Sequence, residues 1–244
     1  MKYVVISDLH SNLEALEGFQ ADLKAHNPGP HTKVCLGDIV GYGGNPNEIV
    51  DWVRGNCGIV LAGNHDYAVV GKTDVSYFNP YAKKACEWTG EVLTPENRDY
   101  LASLPVARAQ DGIFWAHSSP FEPEEWHYII SRYDGMENFP HFSERLCFVG
   151  HSHNPLILEE NPEEKVELYY DTELSLNSGH RYIFNVGSLG QPRDGNPDPA
   201  YAIYDDQSNT YQLRRFGYAV EKAQQKIRAA GLPAFLSDRL AVGH

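Results

Sequence analysis

The chain has 244 residues, 42% hydrophobic and 22% charged, the balance of an ordinary folded protein with room for a substantial core. Its 33 acidic residues outnumber its 20 basic ones, giving a formal net charge of −13. That argues against extended nucleic acid as the main partner, because a phosphate backbone wants a basic surface. No stretch approaches the roughly 20 apolar residues of a membrane span, and a strand-like run at the very start leaves no room for a secretory leader; a cytoplasmic protein without a membrane partner is expected.

Residues 3–6 (YVVI) predict the first strand, followed by a helix over 12–25 with Leu13, Leu16, Phe19 and Leu23 on one stripe. A strand is expected at 33–36, then a helix over 46–54 with Asn45 as its cap. A third strand follows at 59–62, and a helix over 95–104 has Thr94 as its cap and Pro95 at its first position. Further strands are expected at 113–116, 146–149, 182–186, 201–204 and 211–216. The last two alternate more and are joined through 205–209 as an antiparallel hairpin. A final helix over 218–230 is stopped by Gly231 and Pro233.

The early runs are continuously apolar, as strands covered on both faces are. Strands alternating with helices, then a run of strands, then a helix define an α/β chain with largely mixed sheets. No repeat or linker divides it, so one domain over 1–244 is expected. The four cysteines, Cys35, Cys57, Cys86 and Cys147, lack C-x-x-C spacing and read as small structural residues.

The residues just past each early strand are less ordinary. After 3–6 comes Ser7-Asp8-Leu9-His10; after 33–36, Gly37-Asp38; after 59–62, Gly63-Asn64-His65-Asp66; after 113–116, His117; after 146–149, Gly150-His151-Ser152-His153. Five of the eleven histidines sit at these junctions. The carboxyl ends of strands in an α/β sheet meet where ligands bind. At a strand's period of two, Asp8 and His10 are expected on one side, as are His151 and His153. Any one of these stretches is ordinary turn chemistry. Together, Asp8, His10, Asp38, Asn64, His117, His151 and His153 form a mixed nitrogen and oxygen set suited to divalent Mn, Fe, Zn or Ni.

The ordered series D-x-H, G-D, G-N-H-D, H and G-H-x-H over residues 8–153 resembles the calcineurin-like metallophosphoesterase superfamily. The stretches GDIVGYGGNPNEIV and NVGSLGQPRDGNPDPAYAIYD are similar to its small bacterial and archaeal phosphodiesterase-type branch. The resemblance implies a two-layered mixed β-sheet sandwich flanked by helices. It also implies two divalent metal ions, with Asp8, His10 and His153 on the first, Asn64, His117 and His151 on the second, and Asp38 bridging both. A metal-bridging hydroxide would then attack phosphorus, and His65, off the metals, would protonate the leaving oxygen. Asp66 either orients that imidazole or caps its turn.

The chain departs from the superfamily's protein phosphatases, which read G-D-x-V-D-R-G, at Gly41 and Tyr42. The acid that steadies the histidine and the arginine that grips phosphate are both replaced. Arg193, beside Gln191 in the loop 187–195, is either the substitute phosphate-binding residue or a solvated loop arginine. The segments between motifs carry Tyr77, Phe78, Tyr81, Trp88, Phe121, Trp126, Tyr128 and Tyr133, which either wall a pocket or pack helices. His26, His31, His127, His141, His180 and His244 read as surface or loop residues. The function expected is hydrolysis of a small phosphate-ester substrate, a phosphodiester or nucleotide polyphosphate. The alternatives are a phosphomonoesterase or protein phosphatase, and a non-catalytic metal-binding scaffold. Oligomeric state is left open.

Overall fold

The computed structural model describes residues 1–244, the side chain of Tyr77 excepted, so the expectation placed on that aromatic residue lies outside the described residues. The strands are β1 (Lys2–Ile6), β2 (Thr32–Cys35), β3 (Ile59–Val60), β4 (Ala107–Gln110), β5 (Ile113–Ala116) and β6 (Leu146–Val149). They continue with β7 (Leu156–Glu160), β8 (Val166–Tyr169), β9 (Glu173–Ser175), β10 (Arg181–Asn185), β11 (Ala200–Asp205) and β12 (Thr210–Arg215). The helices are α1 (Leu13–His26), α2 (Pro46–Asn56), α3 (Asn64–Val69), α4 (Pro80–Val92), α5 (Pro95–Ser103), α6 (Arg132–Asn138), α7 (Val220–Ala229) and α8 (Ala234–Asp238).

Two mixed six-stranded sheets form, in the orders β3-β2-β1-β11-β12-β9 and β4-β5-β6-β10-β7-β8. The continuous apolar run of β1 is explained by burial on both faces. Tyr3 and Val5 enter the layer between the sheets with Trp115, Phe148 and Phe184, while Val4 and Ile6 meet Leu16, Phe19 and Val50 of α1 and α2. On the far side of the second sheet, Cys147, Val149 and Ile183 pack under Phe139 and Phe142. Because β1, β2 and β3 run parallel to one another, as do β5, β6 and β10, their carboxyl ends gather along one edge.

Most expected elements form, including the β11–β12 hairpin with Tyr204 opposite Tyr211. Asn12 caps α1 by accepting from the Ala15 amide (3.1 Å), and Thr94 caps α5 through the Asn97 amide (3.2 Å). Asn45 is a correction: its side chain accepts no amide of α2 and instead donates to Glu48 (2.8 Å). Proline at the first position, needing no amide partner, starts that helix. The sequence reading missed α4, whose buried stripe of Ala82, Ala85, Cys86 and Thr89 is too small in side-chain volume to stand out.

Candidate metal centre

None of the candidate ligands at the first and fifth junctions continues a strand. β1 ends at Ile6, and Asp8, His10, Asp38, His151 and His153 all take left-handed backbone angles, with φ of 54, 46, 48, 62 and 60°. The expectation that Asp8 and His10 share a side by strand period is therefore corrected, since the period of two holds only for extended residues. Left-handed conformations strain residues with a Cβ and persist where surrounding bonds enforce them. Here the Asp8 amide donates to Gly37 O (3.0 Å) and the His10 amide to Asp38 O (3.0 Å), while Asp8 O accepts from the Gly190 amide and the Ser188 hydroxyl (2.8 Å each). Gly63 is required for a different reason: a Cβ there would sit 2.1 Å from Asp38 Oδ1.

The turns bring six candidate ligands to one place. Ligand atoms of Asp8, His10, Asp38 and His153 lie within 4.8 Å of one another, and so do those of Asp38, His117 and His151; Asp38 is common to both groups. His10 Nε2 is 3.1 Å from His153 Nε2, 3.8 Å from Asp8 Oδ1 and 3.6 Å from Asp38 Oδ2. His117 Nε2 is 3.5 Å from Asp38 Oδ2. These are the spacings of atoms sharing an ion, because two ligands each about 2.1 Å from a metal lie roughly 3.0–4.2 Å apart.

Backbone carbonyls decide which ring nitrogen faces inward. His10 Nδ1 donates to Val40 O (3.1 Å), His117 Nδ1 to Leu36 O (3.0 Å), His153 Nδ1 to Gln191 O, and His151 Nε2 to Trp126 O (2.9 Å). Each ring keeps one lone pair for the centre, the usual support for a metal-binding imidazole. With Nδ1 of both rings protonated, the two Nε2 lone pairs of His10 and His153 face each other, an arrangement that repels without a cation. Asp8 Oδ1, Asn64 Oδ1 and His117 Nε2 are buried without any hydrogen-bond partner. A pair of divalent ions fits this donor set.

Electrostatics agree. Burial, together with the neighbouring His153 and His65, holds His10 well below the ordinary histidine range, and burial with the nearby Arg193 brings His153 down to about 4. Neutral imidazoles are the form that binds metal. Burial would raise Asp8, but His153, His117 and His10 bring it below the usual carboxylate range. Asp38 goes the other way, raised by burial and by the charges of Asp8 and Asp66. Two carboxylates this close cannot both stay charged without a cation.

His65 stands beside the ligands in the first turn of α3, where its amide donates to Asp38 Oδ1 (2.9 Å). Its ring is packed by Tyr42 (centroids 4.5 Å), His10 (5.0 Å) and Phe78 (5.1 Å). The two readings of Asp66 separate: its carboxylate accepts from the amides of Ile39 (3.2 Å), Val40 (3.0 Å) and Gly63 (2.9 Å), so it braces the turn and does not orient the imidazole. Burial lifts it to about 7 against those amides.

The cleft over this centre encloses about 800 Å³. Arg193 lines it, with its guanidinium 5.6 Å from the Tyr42 ring and donating to Gln191 Oε1 (3.0 Å). Tyr42 thus carries a cation supplied from another loop. Of the aromatic residues expected between the motifs, Phe78, Trp126 and Tyr128 line the cleft, and Tyr128 stacks on His151 (centroids 4.2 Å). Tyr81 stacks with Phe235, Phe121 with His127, and Tyr133 is exposed, all away from it. His31, His127 and His180 bond Gly29 O, Glu122 and Glu159 respectively, outside the centre. The sequence reading missed the four carbonyls that orient the rings, and no residue type could have signalled them.

The profile of the calcineurin-like phosphoesterase family matches residues 1–168. The chain belongs to that family, which implies a phosphoester hydrolase. It is similar to an uncharacterized protein of Methanocaldococcus jannaschii, 41% identical over 98% of this chain and 97% of that one. Among solved structures, a metallophosphoesterase from Sphaerobacter thermophilus is 39% identical with a TM-score of 0.87, over 100% of this chain and 99% of that one. A hypothetical protein from Pyrococcus horikoshii shares the fold at 18% identity, TM-score 0.79, over 100% of this chain and 98% of the other. No helix among the described residues is long and apolar enough to cross a membrane.

Proposed function

We propose that the cleft is a dinuclear centre that hydrolyses small phosphodiesters or nucleotide polyphosphates, in a chain that works as one cytoplasmic domain. One observation carries this: Asp38 is common to two ligand groups, and Asp8 Oδ1 of one and His117 Nε2 of the other are buried without a hydrogen-bond partner. Asp8, His10 and His153 hold one ion, Asn64, His117 and His151 the other, and Asp38 both. The ions are of the Mn, Fe, Zn or Ni class. Bound there, they supply an activated water near neutral pH and neutralise charge on the phosphate oxygens.

The protein's own groups do the rest. His65 lines the cleft beside the ligands without belonging to either group, and in this reading its ring gives a proton to the leaving oxygen. Arg193 binds a further phosphate by charge-assisted hydrogen bonds. The bent ligand turns hold the donors in place before substrate arrives, so little reorganisation is needed at the moment of reaction. A diester carries one negative charge and leans less on an arginine than a monoester dianion does. Gly41 and Tyr42, where protein phosphatases keep acid and arginine, favour the diester.

The test compares kcat/KM of the Mn²⁺-reconstituted protein on bis(4-nitrophenyl) phosphate, a dinucleoside polyphosphate and a phosphoserine peptide. Preference for the diester or the polyphosphate supports the reading. A tenfold advantage for the peptide would replace it with a protein phosphatase, and no turnover of any of the three with two ions bound would point to a scaffold.

A further inference from the structure

His65 lacks the acidic partner its proposed role ordinarily uses. Among the described residues it forms no ion pair, and the carboxylate of Asp66 is taken by three backbone amides. Nor is there room for an acid at position 41, because a Cβ on Gly41 would lie 2.6 Å from His65 Nδ1. One polar contact to the ring is made instead: Cys86 Sγ lies 3.4 Å from Nδ1.

That contact has a structural origin. α4 starts behind Asn79, which accepts from the amides of Tyr81 and Ala82, and buries a stripe of small residues that lets the helix approach closely. Cys86 belongs to that stripe and is 4% exposed. Tyr42, His10 and Phe78 surround the rest of the ring, and Nε2 has no partner in the chain among the described residues.

We infer that Cys86 is a positioning residue for His65: its thiol holds Nδ1 at 3.4 Å and so aims Nε2 at the substrate's leaving oxygen. The ring that acts as acid is the protonated one: its Nδ1–H donates to the sulfur, and its Nε2–H is the proton given to the leaving oxygen. Burial, with Asp38 and Asp66 nearby, pushes the thiol up, so at neutral pH it is an uncharged hydrogen-bonding group and not a nucleophile. This inference rests on the proposed acid role of His65.

The experiment uses the full chain reconstituted with Mn²⁺ and two diesters that differ in leaving group, diphenyl phosphate and bis(4-nitrophenyl) phosphate. A nitrophenolate leaves without a proton; a phenolate needs more help. Cys86→Ala is expected to lower kcat on diphenyl phosphate about tenfold, a part of the 10²–10⁴ available from a placed acid, with KM and metal content kept and nitrophenyl turnover spared. Cys86→Ser, which restores a hydrogen-bonding group, should recover most of that loss. In a His65→Ala background, Cys86→Ala should add nothing, because residues acting through one another are not additive. Equal losses on both substrates, failure of serine to rescue, or an additive double variant overturns the role of Cys86 while leaving His65 standing. If His65→Ala itself shows no dependence on the leaving group, the acid reading fails first and this inference with it.

Discussion

Replacing Gly41 with alanine tests where His65 stands. Gly41 has φ of +95°, and the added Cβ would be 2.6 Å from His65 Nδ1 and 3.1 Å from Cγ, short of the 3.4 Å at which ordinary contact begins. The ring therefore has to move by about 0.8 Å, and Cys86, Phe78 and Tyr42 resist it on other sides. A displacement near 1 Å of a reacting group costs roughly 10²-fold in rate. The backbone strain adds about 1–3 kcal/mol, and at roughly 2–4 °C per kcal/mol for a chain of this size the midpoint falls by several degrees. The assay measures kcat on diphenyl and bis(4-nitrophenyl) phosphate together with metal content and melting temperature. Gly29→Ala provides the control, since Gly29 has φ of +81° but nothing within 4 Å of the new Cβ, and so carries strain without collision. The expected result is a large loss on diphenyl phosphate for Gly41→Ala alone, with metals retained. If that variant keeps diphenyl turnover within about threefold of wild type, the ring does not deliver the proton and His65 loses its assigned role.

Asp38→Ala should lose more metal than His10→Ala, because Asp38 belongs to both ligand groups and His10 to one; metal analysis after dialysis decides, and equal losses would separate the two sites. Chelation should lower the melting temperature by roughly 5–11 °C relative to protein held at about a hundredfold excess of Mn²⁺ over its dissociation constant, which corresponds to about 2.7 kcal/mol at ~2–4 °C per kcal/mol. An unchanged midpoint in EDTA would mean no ion binds the folded chain. Arg193→Ala should raise KM more on a dinucleoside polyphosphate than on bis(4-nitrophenyl) phosphate, since its guanidinium would meet a second phosphate that the aryl diester lacks; an equal rise on both would return Arg193 to a general charge effect.

The Asp and His residues that converge on the candidate centre were legible in the sequence because each comes just after a buried strand, and apolar runs of Val, Ile and Phe are recognisable along one dimension. So were the mixed sheets, the hairpin and the cap of α5. A strand's period of two does not relate Asp8 to His10, because left-handed angles replace extended ones from Asp8 onward. Only the tertiary structure decided which nitrogen each ring presents, since the carbonyls of Val40, Leu36, Trp126 and Gln191 are groups every residue possesses. It also decided that Asp66 braces a turn, that Tyr42 carries Arg193, and that a cysteine 21 residues along the chain from His65 meets its ring. Those contacts join positions with no periodic relation, and their distances are set by how closely helices and sheets approach. A sequence shows which groups are available; packing in three dimensions settles which of them touch.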